Sequence, residues 1–303
     1  MAGEWTLDGR VIVVTGAGGG IGAEIARAMA AKGAAVVVND IGSSLEGAGT
    51  NRASADEVVE LIRAAGGTAV ASFADVSSHS EAEGIVGTAL EPFGRLDVLV
   101  NVAGIVRDRM IFNLSEEDWD AVIRVHLKGT YNTTHFASRW WRANRGGDYR
   151  LLNFISGAGL FGAPGQPNYA AAKMGILGLT QSCAHALKRY GVTSVAVSPG
   201  AATRMTDAVP LERAQQVGIR SDGEMAPANV APGVVYLASA RSAWLNGCTV
   251  GFRGYRLILY SSIGVSREVA GMEPWTPERA GSEMERTFQP ALEHGNMFDE
   301  QSA

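Results

Sequence analysis

The sequence has few of the features that mark secreted, membrane or nucleic-acid-binding proteins. Only two cysteines occur, Cys183 and Cys248, both in apolar segments, so no disulfide framework is expected. The sequence contains no run of about 18 apolar residues, the length that would span a membrane. Lysine and arginine form no basic stripe and the net charge is −5, which argues against nucleic acid as a partner. Residues 1–5 lack the basic and apolar regions of a signal peptide, so a cytoplasmic location is expected.

The chain is instead rich in glycine and in apolar residues. Its 38 glycines cluster at turns, and 46% of its 303 residues are hydrophobic, which is typical of a globular protein with a large core. Short β-branched runs alternate with longer helical patterns from Val11–Thr15 through Ser194–Val197. Near-continuous apolar strands separated by helices predict a parallel sheet covered on both faces. The expected fold class is therefore α/β, a doubly wound, Rossmann-like sheet.

A single domain with a C-terminal extension is expected. Residues 1–255 carry the alternating pattern, and residues 256–303 are predicted to pack on the same domain as short helices or extended pieces. Residues 41–50 form a Gly/Ser-rich insertion after the second strand that is longer than a usual βα connection. A long helix is predicted over residues 116–141, opened by a capping box at Ser115.

A glycine-rich turn, residues 15–22, directly follows the first strand and opens the first helix. Glycines permit a tight turn and let backbone N–H groups approach phosphates at the positive end of a helix. The strand–turn–helix context favours a dinucleotide site over a flexible loop. The residues of this turn expected to bind the cofactor are Gly16, Gly20, Ile21 and Gly22.

Asp40 ends the second strand and predicts which dinucleotide is bound. It lies 18 positions after Gly22, near the spacing at which an acidic side chain meets the adenosine ribose. A carboxylate there repels a 2′-phosphate, and no Lys or Arg follows in the glycine turn or just after Asp40, so NAD is expected rather than NADP. The alternative is that Asp40 only forms a turn at the strand end.

Three further strand ends are expected to border the cofactor, because the carboxyl ends of parallel strands meet at one edge of a sheet. Each could also be an ordinary loop or, at Asp75, a helix N-cap. Their joint occurrence favours binding. The residues concerned are Asp75, Val76, Asn101, Ala103, Gly104, Pro199, Gly200 and Thr203.

Tyr169 and Lys173 are four residues apart, which places them on one face of a helix. A phenol has a pKa of about 10, and a neighbouring ammonium favours its ionised form, as general acid–base catalysis requires. Ser156, at the end of another strand, could hold a substrate oxygen beside the phenol. Alone, the pair is typical of an amphipathic helix with exposed Tyr and Lys. The glycine turn and Asp40 favour catalysis.

These motifs, in this order, resemble the short-chain dehydrogenase/reductase family over about residues 6–254. The resemblance implies hydride transfer between a secondary alcohol and a nicotinamide cofactor. It makes Tyr169 the acid/base, and Ser156 the group that positions the substrate oxygen. Lys173 then lowers the pKa of Tyr169 and holds the cofactor ribose.

His126 departs from the pattern of this family, in which V-N-L-x-G carries an Asn that holds a water behind the lysine. Here residues 125–129 are V-H-L-K-G. The imidazole, counted with the catalytic residues, either binds such a water or relays protons near neutral pH. Alternatively it packs between helices, with a backbone kink still present. The other histidines show no grouping with carboxylates or cysteines, so no metal is expected.

Within the family, the V-H-L-K-G motif, the insertion and Ile105–Arg109 resemble the dehydrogenase part of the D-specific multifunctional β-oxidation enzymes, the 17β-hydroxysteroid dehydrogenase type 4 group. That resemblance implies a (3R)-hydroxyacyl-CoA or a steroid-related acyl-CoA as the small-molecule substrate, oxidised with NAD. The alternatives are a free hydroxysteroid, terpenoid or other secondary alcohol and, remotely, a non-catalytic NAD-binding sensor. A homodimer or homotetramer is also implied, paired through helices near residues 116–141 and 169–190. Candidates for binding the thioester phosphates are Arg107, Arg109, Arg204 and Arg220.

Overall fold

The computed structural model describes residues 6–202, 223–270, 272 and 274–293. Its strands are β1 (Val11–Thr15), β2 (Ala35–Asn39), β3 (Thr68–Ser72), β4 (Val98–Asn101), β5 (Tyr149–Phe154), β6 (Val192–Gly200), β7 (Thr249–Arg253) and β8 (Arg256–Tyr260). In this part of the chain they form one eight-stranded sheet in the order β3-β2-β1-β4-β5-β6-β7-β8. β1 to β7 pair in parallel, and β8 pairs antiparallel with β7.

Helices connect the strands and cover both faces of the sheet. Successive residues of β1 show this, because Ile12 and Val14 belong to one buried apolar cluster and Val11 and Val13 to another. The doubly wound α/β fold is therefore confirmed. The helices are α1 (Gly20–Ala30), α2 (Ala53–Ala64), α3 (His79–Phe93), α4 (Glu116–Ile123), α5 (Gly129–Ala143), α6 (Gly157–Phe161), α7 (Pro167–Leu187), α8 (Ala231–Ala238), α9 (Pro277–Thr287) and α10 (Gln289–Glu293).

The long helix expected over residues 116–141 is present in two α-helical parts. Its start is capped as predicted, since the Ser115 hydroxyl accepts a hydrogen bond from the N–H of Asp118 at 3.1 Å. Residues Arg124–Lys128, between α4 and α5, form a π-helical turn. Such turns shift the side chains of a helix and often occur at functional sites. This turn lies where the packing alternative for His126 expects a backbone kink.

The strand order reverses between β1 and β4. From β1 the chain builds outward through β2 and β3, and then returns to place β4 on the other side of β1. Thr15 is in register with Asn39 on one side and with Asn101 on the other. In open α/β sheets, ligands bind in the crevice outside the carboxyl ends of the strands at such a reversal.

The contacts of the chain divide it into two compact units, residues 1–260 and 261–303. Residues 256–260, expected in the extension, form β8 and so complete the sheet of the first unit. The second unit contains α9 and α10, in line with the short helices expected there. That the extension packs on the main domain stays a prediction. No helix among the described residues is both long and apolar enough to cross a membrane.

Candidate active site

The turn between β1 and α1 depends on the absence of side chains. Gly16 has a φ of +65°, and a Cβ on Gly22 would lie 2.2 Å from the Gly16 carbonyl oxygen. Gly19, the N-cap of α1, leaves the helix start without a side-chain cap. The first backbone N–H groups of a helix need acceptors, and an anion can supply them. The turn therefore fits the pyrophosphate of a dinucleotide.

Asp40 contacts this turn from the end of β2. Its Oδ2 accepts the N–H of Gly18 at 2.8 Å, and its Oδ1 accepts the N–H of Gly42 at 2.6 Å. A carboxylate has about four acceptor sites, so both oxygens keep capacity for ribose hydroxyls. Asp40 is thus more than a turn former at the strand end, because it reaches the glycine turn. Its preference for NAD stays a prediction.

The ends of β1 and β4 are joined through Thr15. Its hydroxyl oxygen accepts the N–H groups of Val102 at 3.1 Å and of Ala103 at 3.2 Å. Thr15, Val76, Asn101 and Ala103 line one narrow gap at this edge of the sheet. The structure therefore brings three of the expected cofactor residues together.

The side chain of Asn101 is used inside the fold. Its Nδ2 donates to Asn153 Oδ1 at 2.9 Å, and its Oδ1 accepts the Thr133 hydroxyl at 2.7 Å. It is 5% exposed and ties β4 to β5 and α5. Any role of Asn101 in holding a cofactor therefore falls to its backbone.

The carboxylate of Asp75 is likewise used inside the fold, by a residue two positions later. Oδ1 accepts the N–H of Ser77 at 2.8 Å, and Oδ2 accepts the Ser77 hydroxyl at 2.8 Å. Ser78, rather than Asp75, caps α3. The N-cap alternative for Asp75 is therefore wrong, and its contact with a cofactor stays a prediction.

Ser156, Tyr169 and Lys173 meet between β5 and α7. The Ser156 hydroxyl lies near enough to the Tyr169 phenol to influence its pKa. Lys173 Nζ lies 5.4 Å from the centre of the phenol ring and donates to the Phe154 carbonyl at 2.8 Å. An ammonium has three N–H donors, so two remain for a ribose hydroxyl and the phenol.

Burial dominates the ionisation of these groups. It raises the pKa of Tyr169 to about 12, with the nearby Ser156 hydroxyl opposing the rise and the negative charge of Asp108 adding to it. Burial also lowers the pKa of Lys173 to about 7. In the chain by itself the pKa of Tyr169 is thus raised rather than lowered, and a lowering of this pKa by Lys173 stays a prediction. The physical reason is that desolvation penalises the phenolate.

His126 lies in the π-helical turn and is 1% exposed. Its Nε2 is 3.0 Å from the N–H nitrogen and 2.8 Å from the carbonyl oxygen of Ile105, while Nδ1 has no partner among the described residues. Burial, together with the charge of Lys173, lowers the pKa of His126 to about 3. The imidazole is therefore neutral at neutral pH, and the expectation of a proton relay through its charged form is wrong.

The packing alternative describes His126 better. Its ring meets the ring of Tyr169 edge to face, with centroids 5.1 Å apart. On the other side it fills the space above Gly104, where a Cβ would lie 2.1 Å from the imidazole Cε1. Gly104 is thus required by the close approach of the imidazole. A role of His126 in positioning the phenol stays a prediction.

Two polar residues just before Tyr169 were not predicted from the sequence as site residues. Asn168 is fully buried and its Nδ2 donates to the Arg107 carbonyl at 3.1 Å. Gln166 Nε2 donates to Asp108 Oδ2 at 2.8 Å. These bonds fasten the segment after β4 to the start of α7. The only signal in the sequence is polar side chains just before Tyr169, which any helix start can carry.

The remaining expected residues lie at strand and helix ends. Gly20 and Ile21 begin α1, and Pro199 and Gly200 end β6. Thr203 lies outside the described residues. Among the residues that the structure describes, no group of His, Cys, Asp or Glu could hold a metal ion.

Comparison with known proteins gives the family. The family described as short chain dehydrogenase matches residues 10–215. A crystal structure of a short chain dehydrogenase from Mycobacterium avium is 44% identical, with a TM-score of 0.81 over 94% of this chain and 96% of that one. The hydroxyacyl-CoA dehydrogenase ChsB1 of Mycobacterium tuberculosis is 41% identical over 278 residues, 89% of this chain and 86% of that protein.

A peroxisomal hydratase-dehydrogenase-epimerase of Neurospora crassa is 45% identical over 209 residues, 69% of this chain. The match covers 23% of that protein, so the chain spans about a quarter of its length. The predicted resemblance to the dehydrogenase part of the multifunctional β-oxidation enzymes is confirmed. From its fold, its crevice and these relatives, the chain belongs to the short chain dehydrogenase family and is an oxidoreductase that acts on CH–OH groups with a nicotinamide cofactor.

Proposed function

We propose that this chain oxidises a 3-hydroxyacyl-CoA to the 3-oxoacyl-CoA with NAD. The observation that carries the proposal is the placement of Ser156 and Lys173 around the Tyr169 phenol, in a chain that is similar over most of its length to a hydroxyacyl-CoA dehydrogenase. The name of the Neurospora crassa relative includes a dehydrogenase, which supports the same reaction for this chain.

The hydroxyl proton and the hydride of the substrate leave toward different groups. The bound nicotinamide supplies the acceptor for the hydride from the carbinol carbon. The Ser156 hydroxyl donates a hydrogen bond to the substrate oxygen, and Tyr169 as phenolate takes the hydroxyl proton, so that O–H and C–H bonds break as C=O forms. Lys173, when charged, stabilises the phenolate and holds a ribose hydroxyl.

NAD is proposed over NADP because of Asp40. Its carboxylate is fixed by the N–H groups of Gly18 and Gly42, at the end of β2 where the adenosine ribose is expected. A 2′-phosphate placed there would meet a negative charge. The Arg52 guanidinium lies 4.8 Å from the centre of the Phe73 ring. If NADP is used instead, Arg52 is a candidate for binding its 2′-phosphate.

One observation favours the runner-up, a free hydroxysteroid or other secondary alcohol. Arg107, a candidate for binding thioester phosphates, already binds the Glu46 carbonyl and Asp118. Arg109 is exposed and remains a candidate. Arg204 and Arg220 lie outside the described residues.

A paired substrate screen tests the proposal. Reduction of NAD and of NADP is followed by absorbance with 3-hydroxyacyl-CoAs of several chain lengths, with free hydroxysteroids and with simple secondary alcohols. We expect kcat/KM to be highest for a thioester with NAD. Higher kcat/KM with free hydroxysteroids would reject the thioester, and reduction of NADP alone would reject the argument from Asp40. No turnover with any substrate despite NAD binding would leave the sensor alternative.

A homodimer or homotetramer and a cytoplasmic location stay part of the proposal. Trp119 on α4 and Tyr131 on α5 are exposed aromatic side chains on the helices expected to pair. Light scattering of the purified chain tests the assembly. Several relatives are named peroxisomal, so fluorescence imaging of the tagged chain in its own cells decides the location.

A further inference from the structure

The Gly/Ser-rich insertion, residues 41–50, reaches a segment two strands away from where it starts. It leaves the end of β2, and the N–H of Val106, after β4, donates to the Leu45 carbonyl at 2.9 Å. β1 lies between β2 and β4 in the sheet. Neighbouring strands are about 4.8 Å apart, so the insertion spans about 10 Å across the carboxyl end of β1.

The insertion is closed at its base. The N–H of Asn51 donates to the Ile41 carbonyl at 2.9 Å. The N–H of Gly42 donates to Asp40, whose other carboxylate oxygen accepts from Gly18 in the glycine turn. The base is therefore tied to both β2 and the turn that opens α1.

The tip of the insertion is anchored by Arg107. The guanidinium Nε donates to the Glu46 carbonyl at 2.9 Å, and Nη1 pairs with Asp118 at 3.2 Å. The Arg107 carbonyl in turn accepts from Asn168 Nδ2 at 3.1 Å. The same residue thus joins the insertion to α4 and to the start of α7. Its side chain is 19% exposed.

The position of the insertion matters because of what lies at the end of β1. The glycine turn is there, and ligands of such sheets lie outside the carboxyl ends of the strands at this point. A dinucleotide that extends from Asp40 across the turn toward Ala103 would lie beside the insertion. With base and tip both tied, residues 41–50 would then stand in the way of its release.

We propose that residues 41–50 form a strap over the cofactor crevice, and that Arg107 is a positioning residue that holds the strap closed and so slows exchange of the cofactor. The strap is held by a few hydrogen bonds, and its outer residues, from Glu46 to Thr50, are exposed. Segments with few buried contacts open locally at low cost. The proposal rests on use of a nicotinamide cofactor and is independent of the substrate.

Stopped-flow fluorescence of NADH, without any alcohol or ketone, tests the strap. Association is measured on mixing, and dissociation by displacement with excess NAD. In Arg107→Met, which keeps length but removes every donor, we expect both rate constants to rise about fivefold or more, the factor for one lost hydrogen bond. The matched control is Arg63→Met, because Arg63 also donates to a backbone carbonyl, that of Ala69 at 3.0 Å.

Two further variants separate the strap from the tie to α4. Asp118→Asn removes an ion pair of Arg107 but keeps the Glu46 contact, and we expect rate constants within about twofold of wild type. Replacing residues 43–49 by two glycines removes the tip, and we expect rates at least as high as in Arg107→Met. Unfolding by urea verifies that each variant is folded.

Unchanged rates in both Arg107→Met and the shortened strap would overturn the proposal. Equal increases in Asp118→Asn and Arg107→Met would also overturn it, because Arg107 would then act through α4. So would a wild-type chain that binds neither NADH nor NADPH. If the wild-type chain shows no thioester activity in the substrate screen but Arg107→Met still raises the NADH rate constants, only the proposed function is rejected.

Discussion

The two halves of the sheet contribute to the site in different ways. On the side of β1 to β3, recognition depends on backbone shape, with a glycine turn that a single Cβ on Gly22 would disrupt. On the side of β4 to β6, it depends on buried ionisable groups. There the pKa of Tyr169 is raised to about 12, and those of Lys173 and His126 are lowered to about 7 and about 3, each chiefly by burial.

This difference indicates how the site is activated. All three pKa shifts on the side of β4 to β6, the catalytic half, disfavour the charged form. The chain by itself therefore keeps the Tyr169 phenol protonated. An oxidised nicotinamide carries a positive charge, which would lower the pKa of a phenol beside it. We infer that the cofactor, bound on the side of β1 to β3 (the cofactor half), supplies the positive charge that is missing around Tyr169 on the side of β4 to β6.

Removing the phenol gives the largest expected effect and tests the catalytic half alone. Tyr169→Phe should lower kcat by about 10²- to 10⁴-fold, the usual contribution of a positioned acid/base. The Kd of NADH, measured by fluorescence, should change less than about threefold. Tyr255→Phe is the control, since Tyr255 is exposed on the turn between β7 and β8. Activity of Tyr169→Phe near that of wild type would refute the assignment.

Filling the glycine turn tests the cofactor half. In Gly22→Ala the Cβ lies 2.2 Å from the Gly16 carbonyl oxygen, so the turn has to shift. Overpacking of this kind costs about 1–3 kcal/mol, and we expect NADH affinity, measured by fluorescence titration, to fall about 10- to 100-fold. Gly84→Ala, where a Cβ on α3 meets nothing within 4 Å, should leave the affinity unchanged. Equal losses in both variants would contradict the comparison.

The buried imidazole predicts an acid limit to stability. The folded pKa of His126, about 3, lies below its ordinary 6.5, so the unfolded chain binds the extra proton between these values. Stability from His126 is present above pH 6.5 and is lost as pH falls toward 3, by up to about 1.4 kcal/mol per pH unit. The free energy of unfolding, measured in urea at several pH values, should change more steeply with pH for wild type than for His126→Asn. Equal dependence on pH in the two proteins would mean that the imidazole is hydrated.

The smallest expected effect concerns the choice of dinucleotide. Asp40→Asn removes the charge and keeps one of the two acceptor oxygens that bind the N–H groups of Gly18 and Gly42. The ratio of kcat/KM for NADP over NAD should rise about tenfold, because the repulsion of a 2′-phosphate is gone. Asp56→Asn, on α2, serves as the control. An unchanged ratio would mean that residues other than Asp40 select between NAD and NADP.

The sequence predicts the cofactor half better than the catalytic half. The bounds of β1 and the glycine turn are found as predicted, because they follow from an apolar run and from residues that lack a Cβ. The ionisation of Tyr169 could not be predicted, since burial depends on what packs around it. Asn101 looked like a cofactor ligand at a strand end, yet its amide bonds Asn153 on the neighbouring strand. Pairings of this kind become visible only in the fold.

Titration of the Tyr169 phenol tests the central claim most directly. Tyrosinate absorption is measured against pH for wild type and for Tyr169→Phe, with and without NAD, and the difference reports Tyr169 alone. The account predicts no tyrosinate from Tyr169 below about pH 10 in the chain by itself, given a pKa of about 12, and a shift to lower pH when NAD binds. A phenolate already present near neutral pH without NAD, or a titration that NAD leaves unchanged, would contradict it.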